Sequence, residues 1–231
     1  MYKYGQYCPV ARAAEILGDR WTLLIVRELL LGTRHFNDLE RGLPGISRAL
    51  LAERLRRLQK MEVVEKRVVS ARPRKTEYRL TAAGQELQVV IDVLMAWGAR
   101  WQFGEPGPDE LDPVLLLWWM RGRVRREQLP QDRVVVQFDF VGVVEGSYWL
   151  ILAAEDVSVC LKYPGFDVDV LVTAELDRFL QVWLGRISYE EALREQWLVV
   201  DAIPSLRRAF PRWFAWSPAA ATVRSAIAAI A

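Results

Sequence analysis

The chain of 231 residues holds one histidine, two cysteines and no uninterrupted apolar run longer than Val114–Met120. A membrane-spanning helix needs about 20 apolar residues, so no membrane span and no membrane partner are expected. The opening Met1-Tyr2-Lys3-Tyr4-Gly5-Gln6 has no apolar segment of the kind a secretory signal carries, and none is expected. Cys8 and Cys160 cannot build a disulfide framework, which fits a reducing cytoplasm. A single histidine, His35, excludes HExxH zinc sites and multi-histidine clusters, and leaves a Ser-His-Asp triad only one base. P-loop, GxGxxG and GxSxG patterns are missing too. The acidic pairs Glu155-Asp156, Asp167/Asp169 and Glu190-Glu191 sit on strands and turns, where carboxylates are usually solvated. The expectation is a non-enzyme with no catalytic residues, no metal and no cofactor.

What is present has the composition of a folded chain, 52% hydrophobic and 26% charged, with room for one large or two smaller domains. The net charge of +2 hides an asymmetry. Residues 1–104 carry 18 Lys+Arg against 11 Asp+Glu, and residues 105–231 carry 13 against 18. Such a split suggests a basic module that meets a polyanion, joined to an acidic one that does not. The change falls at Gly104-Glu105-Pro106-Gly107-Pro108-Asp109, which no helix can run through, so domains of 1–104 and 105–231 are expected.

In the first half the pattern predicts helices at Pro9–Leu17, at Arg20–Leu31 with Asp19 as its cap, and at Phe36–Arg41. The turn Gly42-Leu43-Pro44-Gly45 leads to Ser47, an N-cap candidate for a helix from Arg48 to about Met61. There Leu50, Leu51, Leu55 and Leu58 fall on one face, while Arg48, Ala49, Ala52, Glu53, Arg56, Arg57 and Lys60 flank or oppose it. Two β-rich stretches follow, Val63–Ser70 and Thr76–Leu80, joined by the cationic Ala71-Arg72-Pro73-Arg74-Lys75. This is the layout of a winged helix-turn-helix. Small residues let such a helix approach base edges in the major groove, arginines fork onto guanine or hold phosphates, and a basic wing tip reaches phosphates or a narrow minor groove. The candidate DNA-binding residues are Ser47, Arg48, Ala52, Arg56, Arg57, Arg72, Arg74 and Lys75; the competing reading of the arginines is a solvated helix face. His35, beside Phe36, has no visible partner for metal or proton transfer and reads as structural.

Six ordered blocks carry a family resemblance: Cys8-Pro9-Val10, Gly18 through Leu29, Arg34 through Leu39, Leu43 through Ser47, Leu51 through Leu55, and Tyr78 through Gly84. From Cys8 to about Trp101 the chain resembles the HxlR-type winged-helix regulators of bacteria. The resemblance implies a homodimeric DNA-binding transcription factor acting on a roughly palindromic operator in double-stranded DNA. It also implies that the Ser47–Met61 helix reads the major groove and that Arg72–Lys75 is the wing tip. Family members pair through the N-terminal segment, here carrying Tyr2, Tyr4 and Tyr7, and through the helix expected from Thr81 to Phe103. That helix bears Leu87, Val90, Ile91, Leu94, Trp97 and Trp101, a stripe that suits either a two-fold dimer or packing on the second domain. Cys8 matches a position where several members carry an oxidant- or electrophile-sensing cysteine, and a helix N-terminus favours the thiolate; the competing reading is simply a small half-buried residue, since free cysteines are commonly buried.

In the second half Asp112 can cap a helix from Pro113 to about Glu127. Alternating stretches at Val134–Phe140, Tyr148–Leu152, Val157–Leu161 and Val168–Val172 predict an antiparallel meander. Helices at Glu175–Leu184 and Ser188–Glu195, a strand at Trp197–Asp201 and a helix at Pro204–Trp213 follow, giving an α+β class with an antiparallel sheet packed by helices. The alanine-rich tail after Pro218 reads as a docked or frayed helix. The closing part, Val170–Leu176, Val182–Leu193 and Val199–Phe210, resembles a sterol-carrier-protein-2-like domain, a fold that often encloses an apolar tunnel. The resemblance implies a ligand-sensing or interaction module for an apolar small-molecule effector. Trp118, Trp149, Trp183 and Trp197 are the pocket candidates, and they suit a plain core as well. A lipid or sterol carrier with an incidental basic domain is the alternative function.

Overall fold

The computed structural model describes residues 3–71, 74–130 and 133–229. They form two compact units, Met1–Leu94 and Met95–Ala231.

The first unit runs α1 (Pro9–Leu17), α2 (Thr22–Leu30), α3 (Phe36–Arg41), α4 (Arg48–Lys60), β1 (Val64–Ala71), β2 (Arg74–Leu80), α5 (Ala82–Glu86) and α6 (Gln88–Trp101), whose C-terminal half passes into the second unit. β1 and β2 make an antiparallel hairpin with an irregularity between Val68 and Ser70. Leu51, Leu55 and Leu58 of α4 are buried with Ile25, Val26 and Leu29 of α2, Leu39 and Leu43, and Tyr78 and Leu80 of the hairpin. Two long-range hydrogen bonds tie the hairpin to the α2–α3 loop. The Tyr78 amide donates to Arg34 O at 2.8 Å, and His35 Nδ1 lies 3.0 Å from Thr76 O. The lone histidine is thus a brace between helix and wing.

Two expectations change. Asp19 does not cap α2: the helix starts at Thr22, with Trp21 at its N-cap in the left-handed region (φ 79), and Asp19 holds arginines instead. The long helix expected from Thr81 is interrupted at Leu87, after Thr81 Oγ1 accepts the Gly84 amide at 3.2 Å. The two compact units part within α6, between Leu94 and Met95, ahead of the composition change at Gly104-Glu105. Arg186 accounts for part of this, because its Nη1 donates to the carbonyls of Phe103 and Gly104 at 2.6 and 2.7 Å, fastening the end of that segment to the second unit.

The second unit continues with α7 (Pro113–Arg121), β3 (Arg133–Val141), β4 (Gly146–Ala153), β5 (Val157–Cys160), β6 (Val170–Glu175), α8 (Leu176–Leu184), α9 (Tyr189–Arg194), β7 (Leu198–Ala202), α10 (Pro204–Ala209) and α11 (Ala220–Ala228). Asp112 Oδ1 caps α7 by accepting the Val114 and Leu115 amides at 2.9 and 3.0 Å. α7 stops at Gly122 rather than near Glu127. The strand order is β5-β4-β3-β6-β7. β3, β4 and β5 form the expected antiparallel meander, but β6 lies parallel to β3, with Phe138 opposite Val172. The all-antiparallel expectation is therefore corrected at the centre of the sheet. Residues 161–169 carry the chain back to β3's other edge, and alternation alone cannot report that crossover.

One face of the sheet is dry. Val134, Val136, Phe138 and Phe140 pack with Leu150, Leu152, Val170 and Val172 against Leu116, Leu117, Phe179 and Trp183 from α7 and α8. Phe210, Trp213 and Phe214 close this core, Phe210 lying 5.8 Å from Trp213 and 5.6 Å from Phe214 between ring centroids. The alanine-rich tail is a docked helix: Ala220 and Val223 of α11 are buried. Gly185 makes the docking possible. Its φ is +84, and a Cβ there would stand 2.7 Å from the Ala220 Cα.

Candidate nucleic-acid interface

α3, the Gly42–Gly45 turn and α4 place one helix on a platform and present its outer face. The mechanism is local. Ser47 Oγ accepts the Leu50 amide at 3.2 Å, fixing where α4 begins, and the leucines at 51, 55 and 58 fix its rotation. Arg48, Ala49, Glu53, Arg56 and Lys60 are left exposed and Ala52 half-buried. Arg48 and Arg56 therefore stand on the side the sequence assigned them to. Arg48 is oriented as well: it pairs with Glu40, its Nη2 donates to Asn37 Oδ1 at 3.1 Å, and its guanidinium lies 5.0 Å from the Phe36 ring centroid. The sequence reading missed Asn37 and Glu40 as its holders; a one-helix wheel cannot show side chains arriving from α3. Arg56 and Lys60 make no ion pair among the described residues.

Arg57 is a correction. Its guanidinium faces inward, pairs with Asp19 and donates to Glu15 O, binding α4 to α1 and the α1–α2 turn. Arg54, which the sequence reading did not single out, does similar work: its Nε donates to Arg20 O at 3.3 Å and lies 3.8 Å from Asp19. Beside them the Tyr4 amide donates to Glu15 at 2.9 Å, and that bond, with Arg12, holds the Glu15 carboxyl below the usual range.

Of the wing candidates, Lys75 is exposed next to Arg74, whose backbone pairs with Ala71. Arg72 lies outside the described residues. Cys8 is the N-cap residue of α1 and half-buried, and both cysteines are free thiols.

α6 adds a second feature. Leu87 and Ile91 turn into the core, so the expected single stripe is split between two faces. Val89, Val90, Val93, Leu94, Trp97 and Trp101 face outward and are exposed.

The four tryptophans do not line one cavity. Trp183 is 1% exposed within the core, against Phe214 and Trp216. Trp149 is on the opposite face of the sheet, where its Nε1 donates to Gln137 Oε1 at 3.0 Å. Trp118 and Trp197 lie under the guanidinium groups of Arg121 and Arg178. Among the described residues no cluster of His, Cys, Asp and Glu could hold a metal, and no helix is long and apolar enough to cross a membrane.

The family description "HxlR-like helix-turn-helix" matches residues 16–105. A 99-residue segment is 46% identical to an uncharacterized HTH-type transcriptional regulator of Mycobacterium tuberculosis, covering 43% of this chain and 62% of that protein. Over 101 residues the chain is 41% identical to the HTH-type transcriptional regulator YodB of Bacillus subtilis, and the match covers 43% of this chain and 88% of YodB. The chain belongs to the HxlR-like helix-turn-helix family. The solved reduced form of YodB superposes on 44% of this HxlR-like chain and 99% of its own, with 40% identity and a TM-score of 0.37. Another solved YodB structure is quinone-bound. The family match ends where the acidic half begins, so membership speaks for the winged helix-turn-helix and not for the sheet that follows.

Proposed function

We propose that this chain is a dimeric, sequence-specific DNA-binding transcriptional regulator of the bacterial cytoplasm. The observation that carries the reading is the exposed face of α4, where an aligned Arg48, and Arg56 and Lys60 with no ion pair among the described residues, flank small residues on a helix of 13 residues. A helix of this size fits the major groove, with Ala49 and Ala52 allowing close approach. Ser47, Arg48, Ala52 and Arg56 are the proposed base-side contacts; Lys75, Arg74 and Arg72 at the wing hold phosphate. Arg57 positions α4 rather than touching DNA.

The exposed apolar side of α6 supports pairing with a second copy through a two-fold axis, which sets two α4 helices against the half-sites of a roughly palindromic operator. The second unit is proposed as a sterol-carrier-protein-2-like sensing or interaction module. The succession α8, the Gly185 turn, α9, β7 and α10 supports that reading. An apolar effector in this unit, or modification of Cys8, would shift operator affinity; the existence of a quinone-bound YodB favours chemical control of this kind. Under the carrier alternative, the protein would bind ligand with no preference among DNA sequences.

The test is fluorescence anisotropy of the purified protein against its own upstream intergenic DNA and a scrambled duplex, at two salt concentrations, followed by selection from random DNA. A preferred sequence with two-fold symmetry is the expected result. Equal, salt-labile binding to every duplex, with no enriched site after selection, overturns the reading.

A further inference from the structure

The face of the sheet turned away from the helices has its own architecture. Gln137, Trp149, Leu171, Val199 and Asp201 point there from β3, β4, β6 and β7, and the 161–169 segment folds over part of it. Tyr163 meets Trp149 edge-on with centroids 6.1 Å apart. Beside this lid lies an open cleft of about 560 Å³ lined by Gln137, Val168, Asp169, Leu171, Asp201, Ala202 and Ile203. The size is that of a small-molecule site. Its apolar walls are unusually bare: Val168 and Ile203 are exposed, as are Tyr163 and Val199 nearby.

The polar groups select the occupant. None of the seven lining residues is a cation and two are aspartates. Asp169 Oδ2 accepts the Val135 amide at 2.8 Å, which fixes its carboxylate at the rim. Asp201 is exposed on the edge strand β7 and forms no ion pair among the described residues. Gln137, itself uncharged, is held in place by accepting from Trp149 Nε1 and donating to Asp139 Oδ1 at 2.8 Å, which adds a third carboxylate nearby. A second copy of this chain is a poor fit, since a two-fold contact would set these aspartates against themselves.

We infer that this outer cleft is a binding site for a small amphipathic organic cation, its apolar body against Val168, Leu171 and Ile203 and its charge beside Asp169 and Asp201. The inference goes beyond the DNA-reading function and does not depend on it. The site is distinct from the dry core beneath the sheet.

The experiment is calorimetric titration of the full chain, without DNA, using tetraphenylphosphonium as the probe and the isosteric anion tetraphenylborate as its control. Saturable binding of the cation, one per chain, with no comparable binding of the anion, is expected. Asp201→Asn should weaken the cation about fivefold to tenfold, and Val168→Ser should weaken it without changing its salt dependence. Both positions are exposed, and an unchanged circular-dichroism melt verifies each fold. Equal affinity for the anion, an unaltered Asp201→Asn variant, or no binding tighter than about 1 mM overturns the inference. Binding of a lysine-bearing peptide in place of the cation also overturns it, making the face a docking surface.

Discussion

On α6, Trp97 and Trp101 are 56% and 59% exposed, whereas Trp183 and Trp213 beneath the sheet are 1% and 0% exposed. The same side chain serves one region as surface and the other as filling. The aromatic core of the second unit closes on itself: Trp183 meets Phe214 edge-on, and Phe210 stands between Trp213 and Tyr189. Among the described residues the outer stripe of α6 meets no such ring partners and stays exposed over successive turns. A hydrophobic residue count would treat the two alike, yet one contributes to folding and the other is available for assembly.

The comparison breaks first at its dry end. Trp183→Ala should cost about 3–5 kcal/mol, because the surrounding rings cannot collapse into the space left behind. Trp97→Ala should leave urea unfolding of the monomer nearly unchanged. Comparable losses in the two variants, read from denaturation midpoints, would mean that α6 is sealed in the folded chain and that the contrast is false.

The second prediction concerns what α6 is exposed for. Val93→Glu combined with Trp97→Ala should weaken self-association by about 2 kcal/mol or more, since charge and lost aromatic area fall at the middle of the stripe. Analytical ultracentrifugation across a dilution series reads this directly. A variant that sediments as the parent does at every concentration removes α6 from the dimer.

The same contrast explains what could be read in the sequence. α1, α3, α4, the β1–β2 hairpin and the caps Ser47, Thr81 and Asp112 were legible because caps, turns and helical spacing are local. The parallel pairing of β3 with β6 was not, since strands beside one another in space need not be neighbours in the chain. Arg57 was misread for a related reason. A helical wheel shows its direction, but only the packed structure brings Asp19 and the Glu15 carbonyl to it. The stripe of α6 was visible as apolar residues, while its division into an inward Leu87–Ile91 side and an outward Val93–Trp97 side depended on the break at Leu87.

The cations of α4 offer a finer version of the test. Arg56→Ala should lose about 1–3 kcal/mol on the preferred DNA site and relax selectivity there, if the side chain reads a base. Lys60→Ala should weaken all duplexes alike and reduce the slope of affinity against salt. Arg57→Ala should instead lower thermal stability, because Asp19 loses one of its two arginines and the Glu15 carbonyl loses its donor. If Arg57→Ala melts as the parent does and loses only DNA affinity, its assignment to the scaffold is wrong.

The smallest effect compares the two interiors by their buried ionisable groups. Glu28 is almost wholly buried, pressed against the backbone of Gly42, and burial raises its carboxyl above the usual range although Arg27 Nη2 lies 2.8 Å away. A raised acid binds its proton more tightly in the folded state. Its contribution to stability is therefore complete below the unfolded value of about 4.3 and is lost as pH rises through the raised folded value. Glu28→Gln, neutral at every pH and still able to accept from Arg27, should gain on the parent steadily as pH rises from about 4. In the other core, burial pushes Tyr189 up to about 12, so it stays neutral throughout that range. Tyr189→Phe removes a hydroxyl that has no hydrogen-bond partner among the described residues, and should be neutral or stabilising by up to about 1 kcal/mol with no pH dependence. Urea midpoints of the two variants against the parent across the same pH series separate the cases: a sloping difference for Glu28→Gln beside a flat one for Tyr189→Phe. Two flat lines would mean that Glu28 is solvated in the folded protein, and a slope for Tyr189→Phe that its core is open to water.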